Sequence, residues 1–196
     1  LVNWERAVVP SLKIRLKNKL VEIAGRSYIA FNQMESVALK DIGLKDGIEF
    51  FSDWLYSAIY TALDVKELRT VQAISERIEI KSSLVERYLS KLEGMGLVVH
   101  EGDRWLPKAF YLTVSSRTLR ANFGSVWREK ARELNVTGDS DGTFITAVGT
   151  MTSEDFSALK QEVLNLLNRF EVSFSKADTR EIAVLALDFF RLGRAK

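Results

Sequence analysis

Ser82, Ser83, Arg87, Ser90 and Lys91 crowd one short stretch, and His100 and Arg104 follow close behind. Hydroxyl, guanidinium and ammonium groups of this kind donate hydrogen bonds to phosphate oxygens and to the edges of bases. Groups for covalent chemistry are scarce by comparison. With 1 His and 0 Cys in 196 residues, thiolate nucleophiles, disulfides and Cys or multi-His metal sites are excluded. A Ser-His-Asp arrangement would have to use His100, and nothing at recognisable spacing supports one. The chain holds neither a G-x-G-x-x-G motif nor a P-loop, and the polar run Asn135 to Gly142 lacks the closing glutamate of a calcium loop. The expectation is a binding protein without catalytic residues, metal or cofactor.

These donors need elements to hold them. Leu68, Val71, Ala73, Ile74 and Ile78 fall at helical spacing, the stretch Ile78 to Ser83 breaks the period, and Leu84, Val85, Tyr88, Leu89 and Leu92 resume it. Ser82 or Ser83 can cap the second helix, with Glu86 completing a capping box after Ser83, and Gly94 and Gly96 end it. Leu97 to Val99, a turn around Gly102, and Trp105 with Leu106 then predict a two-stranded hairpin. Helix, turn, helix and hairpin in this order make a winged helix-turn-helix. Packing the apolar residues inward turns Ser82, Ser83, Glu86, Arg87, Ser90 and Lys91 outward, with His100 and Arg104 on the wing. Glu79, Glu86, Glu101 and Asp103 would repel phosphate in the same neighbourhood.

The flanking sequence predicts further elements. A basic amphipathic helix is expected over residues 11–25, followed by a connector in which Gly43 and Gly47 bracket a turn. Residues 48–63 read as one buried helix with Phe51, Trp54, Leu55, Ala58, Ile59, Ala62 and Leu63 on its inner face. Another helix over residues 111–135 is capped by Thr113, Ser115 or Ser116. The last segment reads β-α-β: Thr143 to Thr150, a helix from Thr152 carrying Phe156 to Phe170 on its face, and Glu181 to Phe190. The predicted class is α+β and mostly helical. Its parts are an N-terminal linker helix and connector (1–47), a winged helix-turn-helix (48–110) and a C-terminal α/β domain for dimerisation or sensing (111–196).

Charge points the same way, unevenly. The chain has 28 Lys+Arg against 26 Asp+Glu, yet residues 51–107 hold 7 basic and 9 acidic groups. Basic side chains gather on either side, at Lys13, Arg15, Lys17 and Lys19 and again at Arg117 and Arg120. These faces are candidates for phosphate contact. Trp54, Tyr56, Phe123 and Trp127 are candidates to line a small-molecule pocket, with core packing as the competing role. Expected partners are DNA and a second copy of the chain, or alternatively a protein docked on a winged helix that no longer binds DNA. No apolar run is long enough to span a bilayer, and the reading is cytoplasmic.

The segments FFSDWLYSAIYTAL, VQAISERI, VERYLSKLEGMGLVVHEGDRW, LTVSSRTLRANF and FITAVGTMTSEDFSALKQEVLNLLNRF resemble, in order and spacing, a family of bacterial winged-helix regulator-like proteins. That family is known by a C-terminal region of unassigned function. The resemblance covers roughly residues 48 to 192 and implies a transcriptional regulator without established catalytic residues. Members often carry a phage-repressor-type helix-turn-helix upstream, and Leu1 in place of an initiator methionine fits a start further upstream. Relatives commonly have a histidine where Gly124 follows Phe123, so no role of that position carries over. The proline-leucine-threonine ending of relatives is replaced by Arg191, Leu192 and Gly193.

Overall fold

Asp53 divides the stretch that sequence periodicity reads as one helix. In the computed structural model, which describes residues 39–42, 44–108, 111–113, 116–138, 141–174 and 181–192, α1 spans Leu44–Phe50 and α2 spans Trp54–Ala62. The Asp53 backbone is extended and its Oδ1 accepts the Leu55 N–H at 3.0 Å, so it caps α2. Gly47, expected in a turn, lies buried inside α1. A Cβ there would come within 2.9 Å of Leu119 Cδ1, so glycine lets the Leu119 side chain pack this closely on α1 and a larger residue would displace it.

A short 3-10 turn, Lys66–Leu68, leads to α3 (Val71–Arg77) and α4 (Ser82–Gly94). Ser75 ties the turn between them, donating its hydroxyl to the Ile80 carbonyl at 2.6 Å while its own carbonyl accepts the Ile80 N–H at 3.1 Å. Closing that turn puts Glu79 at φ 55, a left-handed conformation unfavourable for a side chain bearing a Cβ. Glu79→Gly is expected to raise stability by about 1 kcal/mol in urea denaturation. An unchanged or lower midpoint would show that the Glu79 side chain compensates its backbone.

Helix α4 ends in a Schellman motif. The Gly96 N–H reaches the Glu93 carbonyl at 2.7 Å and the Leu97 N–H reaches Leu92 at 2.9 Å, with Gly96 at φ 67. The chain then enters β2 (Val98–Glu101), turns through Gly102 at φ 65, and returns as β3 (Arg104–Pro107), antiparallel with Glu101 opposite Arg104. The Trp105 N–H donates to the Arg69 carbonyl at 2.8 Å, fastening the hairpin to the start of α3. A second, parallel pair joins β1 (Leu39–Asp41) to β4 (Tyr111–Thr113), Leu39 opposite Tyr111. Ser116 caps α5 (Arg117–Thr137), which stops at Gly138 with φ 71. The last helix, α6 (Ser153–Phe174), opens with the expected reciprocal cap: the Asp155 N–H donates to Thr152 Oγ1 at 3.0 Å and the Thr152 hydroxyl to Asp155 at 2.8 Å.

The described residues therefore form an α+β, mostly helical chain with a small antiparallel sheet. One core gathers Ile59 of α2 and Leu63 at its C-cap, Ile74 of α3, Val85, Leu89 and Leu92 of α4, and Leu97 and Val98 at the hairpin, all fully buried. Each such side chain removed from water contributes roughly 1.5–3 kcal/mol. The β-α-β reading of the C-terminal segment is corrected: residues 143–150 and 181–190 form neither strand nor helix, although the helix between them stands. β-rich composition cannot make a strand without a ladder partner, and among the described residues neither segment has one. Ile145 and Val148 consequently remain 82% and 88% exposed.

Packing groups the described residues into two units, those between 39 and 149 with 181–186, and those between 150 and 174 with 187–192. In the first, Ile182 packs partly buried on the core and Glu181 pairs with Arg77 at 3.3 Å. In the second, the rings of Phe156 and Phe189 stack at 4.7 Å.

Candidate nucleic-acid interface

Helix α4 sorts its residues by a simple rotation. Val85, Tyr88, Leu89 and Leu92 face the core, so Ser83, Arg87, Ser90 and Gly94, spaced by four, three and four, make one exposed stripe. Glu86 and Glu93 lie on one flank of that stripe, also exposed. Arg87 is exposed, with its guanidinium 5.6 Å from the centre of the Tyr88 ring.

Other predicted donors are committed elsewhere. Ser82 is half-buried and donates to Ser75 Oγ at 3.1 Å, toward α3 rather than outward. Lys91 is exposed but ion-paired with Glu49 of α1, and Tyr56 donates to the same Glu49 oxygen at 2.5 Å. The Lys91 and Tyr56 hydrogen bonds hold the Glu49 carboxyl below its usual range, and the bond to Glu49 raises the Lys91 ammonium. This pair ties α4 to α1. A phosphate approaching Lys91 would have to displace an internal carboxylate.

On the hairpin, His100 is exposed and stacked on Trp105, ring centres 4.3 Å apart and planes 15° apart, and Arg104 is exposed opposite Glu101. Lys81, overlooked in the sequence because the neighbouring serines look like better caps, is the N-cap residue of α4. It is exposed, makes no side-chain cap, and the first turn it precedes contains no acid. A cation beside unsatisfied N–H groups at a helix start is a seat for phosphate.

Arg117 and Arg120 are exposed on the first turn of α5. Lys13, Arg15, Lys17 and Lys19 lie outside the described residues. The four aromatic residues do not converge on a cavity. Trp54 meets Trp127 edge to face at 5.9 Å, and Phe123 packs on Trp127 and Phe51, with Lys130 Nζ 4.7 Å from the Trp54 ring. Tyr56, two residues along α2 and so about 200° around it, packs instead on Tyr88 at 4.6 Å and on Phe50. The rings fill space that a pocket would need.

Among the described residues no cluster of three or more His, Cys, Asp or Glu could hold a metal ion. No helix there is long and apolar enough to cross a membrane. Residues 32–192 match a family described as a domain of unknown function, DUF4423. No curated protein and no solved structure matches the chain.

Proposed function

The chain belongs to the DUF4423 family, whose description assigns no activity, and from its own residues we propose that it is a DNA-binding transcriptional regulator of the winged-helix type. In this reading α3 and α4 are the helix-turn-helix, β2 and β3 the wing, and the C-terminal part dimerises and senses a signal. The observation that carries the reading is the exposed stripe Ser83, Arg87 and Ser90 on α4, with Lys81 at the start of that helix and Arg104 and His100 on the adjoining hairpin. Recognition helices read the major groove with this combination of a guanidinium and small hydroxyls while a helix N-terminus holds the backbone. A second copy of the chain would supply the other half-site, and the exposed Ile145 and Val148 favour such association.

Fluorescence anisotropy with labelled duplex DNA at several salt concentrations tests the proposal. Affinity should fall with salt at a log-log slope of about 0.9 per phosphate contacted. Arg87→Ala is expected to weaken binding about tenfold or more, the value of a lost bidentate base contact. Lys91→Ala should change little, because Glu49 already holds that charge. Absence of salt-dependent binding, or an Arg87→Ala protein that binds as well as wild type, would overturn the reading.

The flank of Glu86 and Glu93 favours a second reading, a winged helix that docks a basic protein surface and leaves DNA alone. Charge reversal separates the two. Glu86→Lys should strengthen association with DNA in the first reading and abolish partner binding in the second.

A further inference from the structure

A cleft of about 400 Å³ opens along the first half of α6, lined by Phe156, Ser157, Lys160, Gln161, Leu164 and Arg191. Its floor is apolar and flat. Phe156 stacks on Phe189 with ring centres 4.7 Å apart and planes 16° apart, and Leu164 continues the surface two turns on. Its rim is cationic. The Arg191 guanidinium lies 4.1 Å from the centre of the Phe156 ring, and its Nη2 donates to the Ser153 carbonyl at 3.4 Å. Lys160 stands one helical turn beyond Phe156. No acid lines the cleft, and among the described residues neither Lys160 nor Arg191 is paired with a carboxylate.

We propose that this cleft binds a small aromatic carboxylate, its ring laid against Phe156 and its carboxylate held between Arg191 and Lys160. The proposal rests on the reading of the C-terminal part as a sensing domain and names the class of signal it takes. The physical case has two halves. A planar guanidinium presents two parallel N–H groups to a carboxylate, and an ammonium adds a point charge. With Phe189 and the Arg191 guanidinium already on the Phe156 ring, a ligand ring meets Phe156 at its edge and packs on Leu164, an edge-to-face contact that favours an aromatic body over an aliphatic one. The volume lies at the small end of the usual range for ligand sites, about 300–1,000 Å³. The charge carried by Lys160 and Arg191 selects an anion, and the Phe156 floor selects against a bare one such as inorganic phosphate.

The test is a titration of the full chain with 2-naphthoate, followed by ligand fluorescence and by backbone amide shifts. Neutral 2-naphthamide and inorganic phosphate run in parallel. The expected result is naphthoate binding at least about tenfold tighter than either control, with shifts centred on Phe156 to Leu164. Arg191→Gln and Phe156→Leu should each lose about tenfold, with an unchanged circular dichroism spectrum showing that the fold is intact. Equal affinity for naphthamide, phosphate binding as tight as naphthoate, shifts confined to other regions, or full binding by Arg191→Gln would each overturn the proposal. No DNA is present in the titration, so a failure here is distinguishable from a failure of the DNA-binding reading.

Discussion

Asp53→Ala is expected to lower the unfolding free energy by about 2 kcal/mol in urea denaturation at neutral pH, a large loss for one partly buried polar side chain. Two bonds go together. The Oδ1 oxygen accepts the Leu55 N–H at 3.0 Å as the cap of α2, and removal of such a cap typically costs about 1 kcal/mol. The Oδ2 oxygen accepts the Tyr88 hydroxyl from α4, and a hydrogen bond to a charged acceptor contributes roughly another 1 kcal/mol or more. Asp53→Asn keeps an oxygen for the cap and should lose only about half as much. Tyr88→Phe removes the second bond alone, so its cost and that of Asp53→Ala should add to more than the cost of the double variant. Burial, then the bond to Asp53, pushes the Tyr88 phenol up to about 12 from 10.0. Because the unfolded phenol ionises first, wild type should lose stability as pH rises from 10 toward 12, and Tyr88→Phe should lose less. An Asp53→Ala protein within about 0.5 kcal/mol of wild type would show that water replaces both bonds.

The same carboxylate illustrates what sequence can and cannot supply. Asp53 precedes Trp54 as a cap should, but Phe51, Trp54 and Leu55 continue one apolar stripe across it, and periodicity alone reads through the break. Local chemistry sets two termini as read and not a third, since Lys81, rather than Ser82 or Ser83, stands at the N-cap of α4. Thr152 with Asp155 marks the start of α6, and Gly96 marks the stop of α4, because each bond closes within a few residues. Long-range partners carry no such signature. Glu49 and Lys91 are 42 positions apart, and nothing in their spacing announces that this ammonium of the predicted interface is held by α1. Strands fail for a related reason. The β-rich composition of Thr143 to Thr150 states a preference, while a strand exists only when another backbone takes up its N–H and C=O groups. Tyr56 is separable from Trp54 on the sequence alone, since residues two apart in a helix point about 200° from each other.

Asp64→Asn should act in the opposite direction to Asp53→Ala, raising stability by about 2 kcal/mol near neutral pH. Asp64 follows α2 between Leu63 and Val65, both buried, and its Oδ1 is buried without a hydrogen-bond partner. That burial pushes its carboxyl up from 3.8 to about 6, while the nearby Arg69 charge offsets part of the rise. A raised carboxyl penalises the ionised native state. Below about pH 3 both native and unfolded chains carry the proton and the penalty is nearly absent; it grows as the unfolded carboxyl ionises near 3.8 and is complete above about pH 6. Two units at about 1.4 kcal/mol each give an upper bound near 3 kcal/mol, and partial solvent access reduces this to about 2. Asparagine has the same shape and never ionises. Denaturation curves at about pH 3 should therefore nearly superimpose for the two proteins and separate steadily up to about pH 7, the variant unfolding later. Arg69 makes the outcome informative for the hairpin as well. Its Nε donates to the Leu63 carbonyl at 2.9 Å and its own carbonyl receives the Trp105 N–H at 2.8 Å, so this one residue joins the end of α2 to β3. If the Asp64 charge were needed to hold Arg69 in that position, Asp64→Asn would loosen Trp105 and its fluorescence maximum would move to the red at neutral pH. An unshifted maximum together with the stability gain would assign the cost to desolvation. A variant less stable than wild type near pH 7 would assign Asp64 to holding the joint instead.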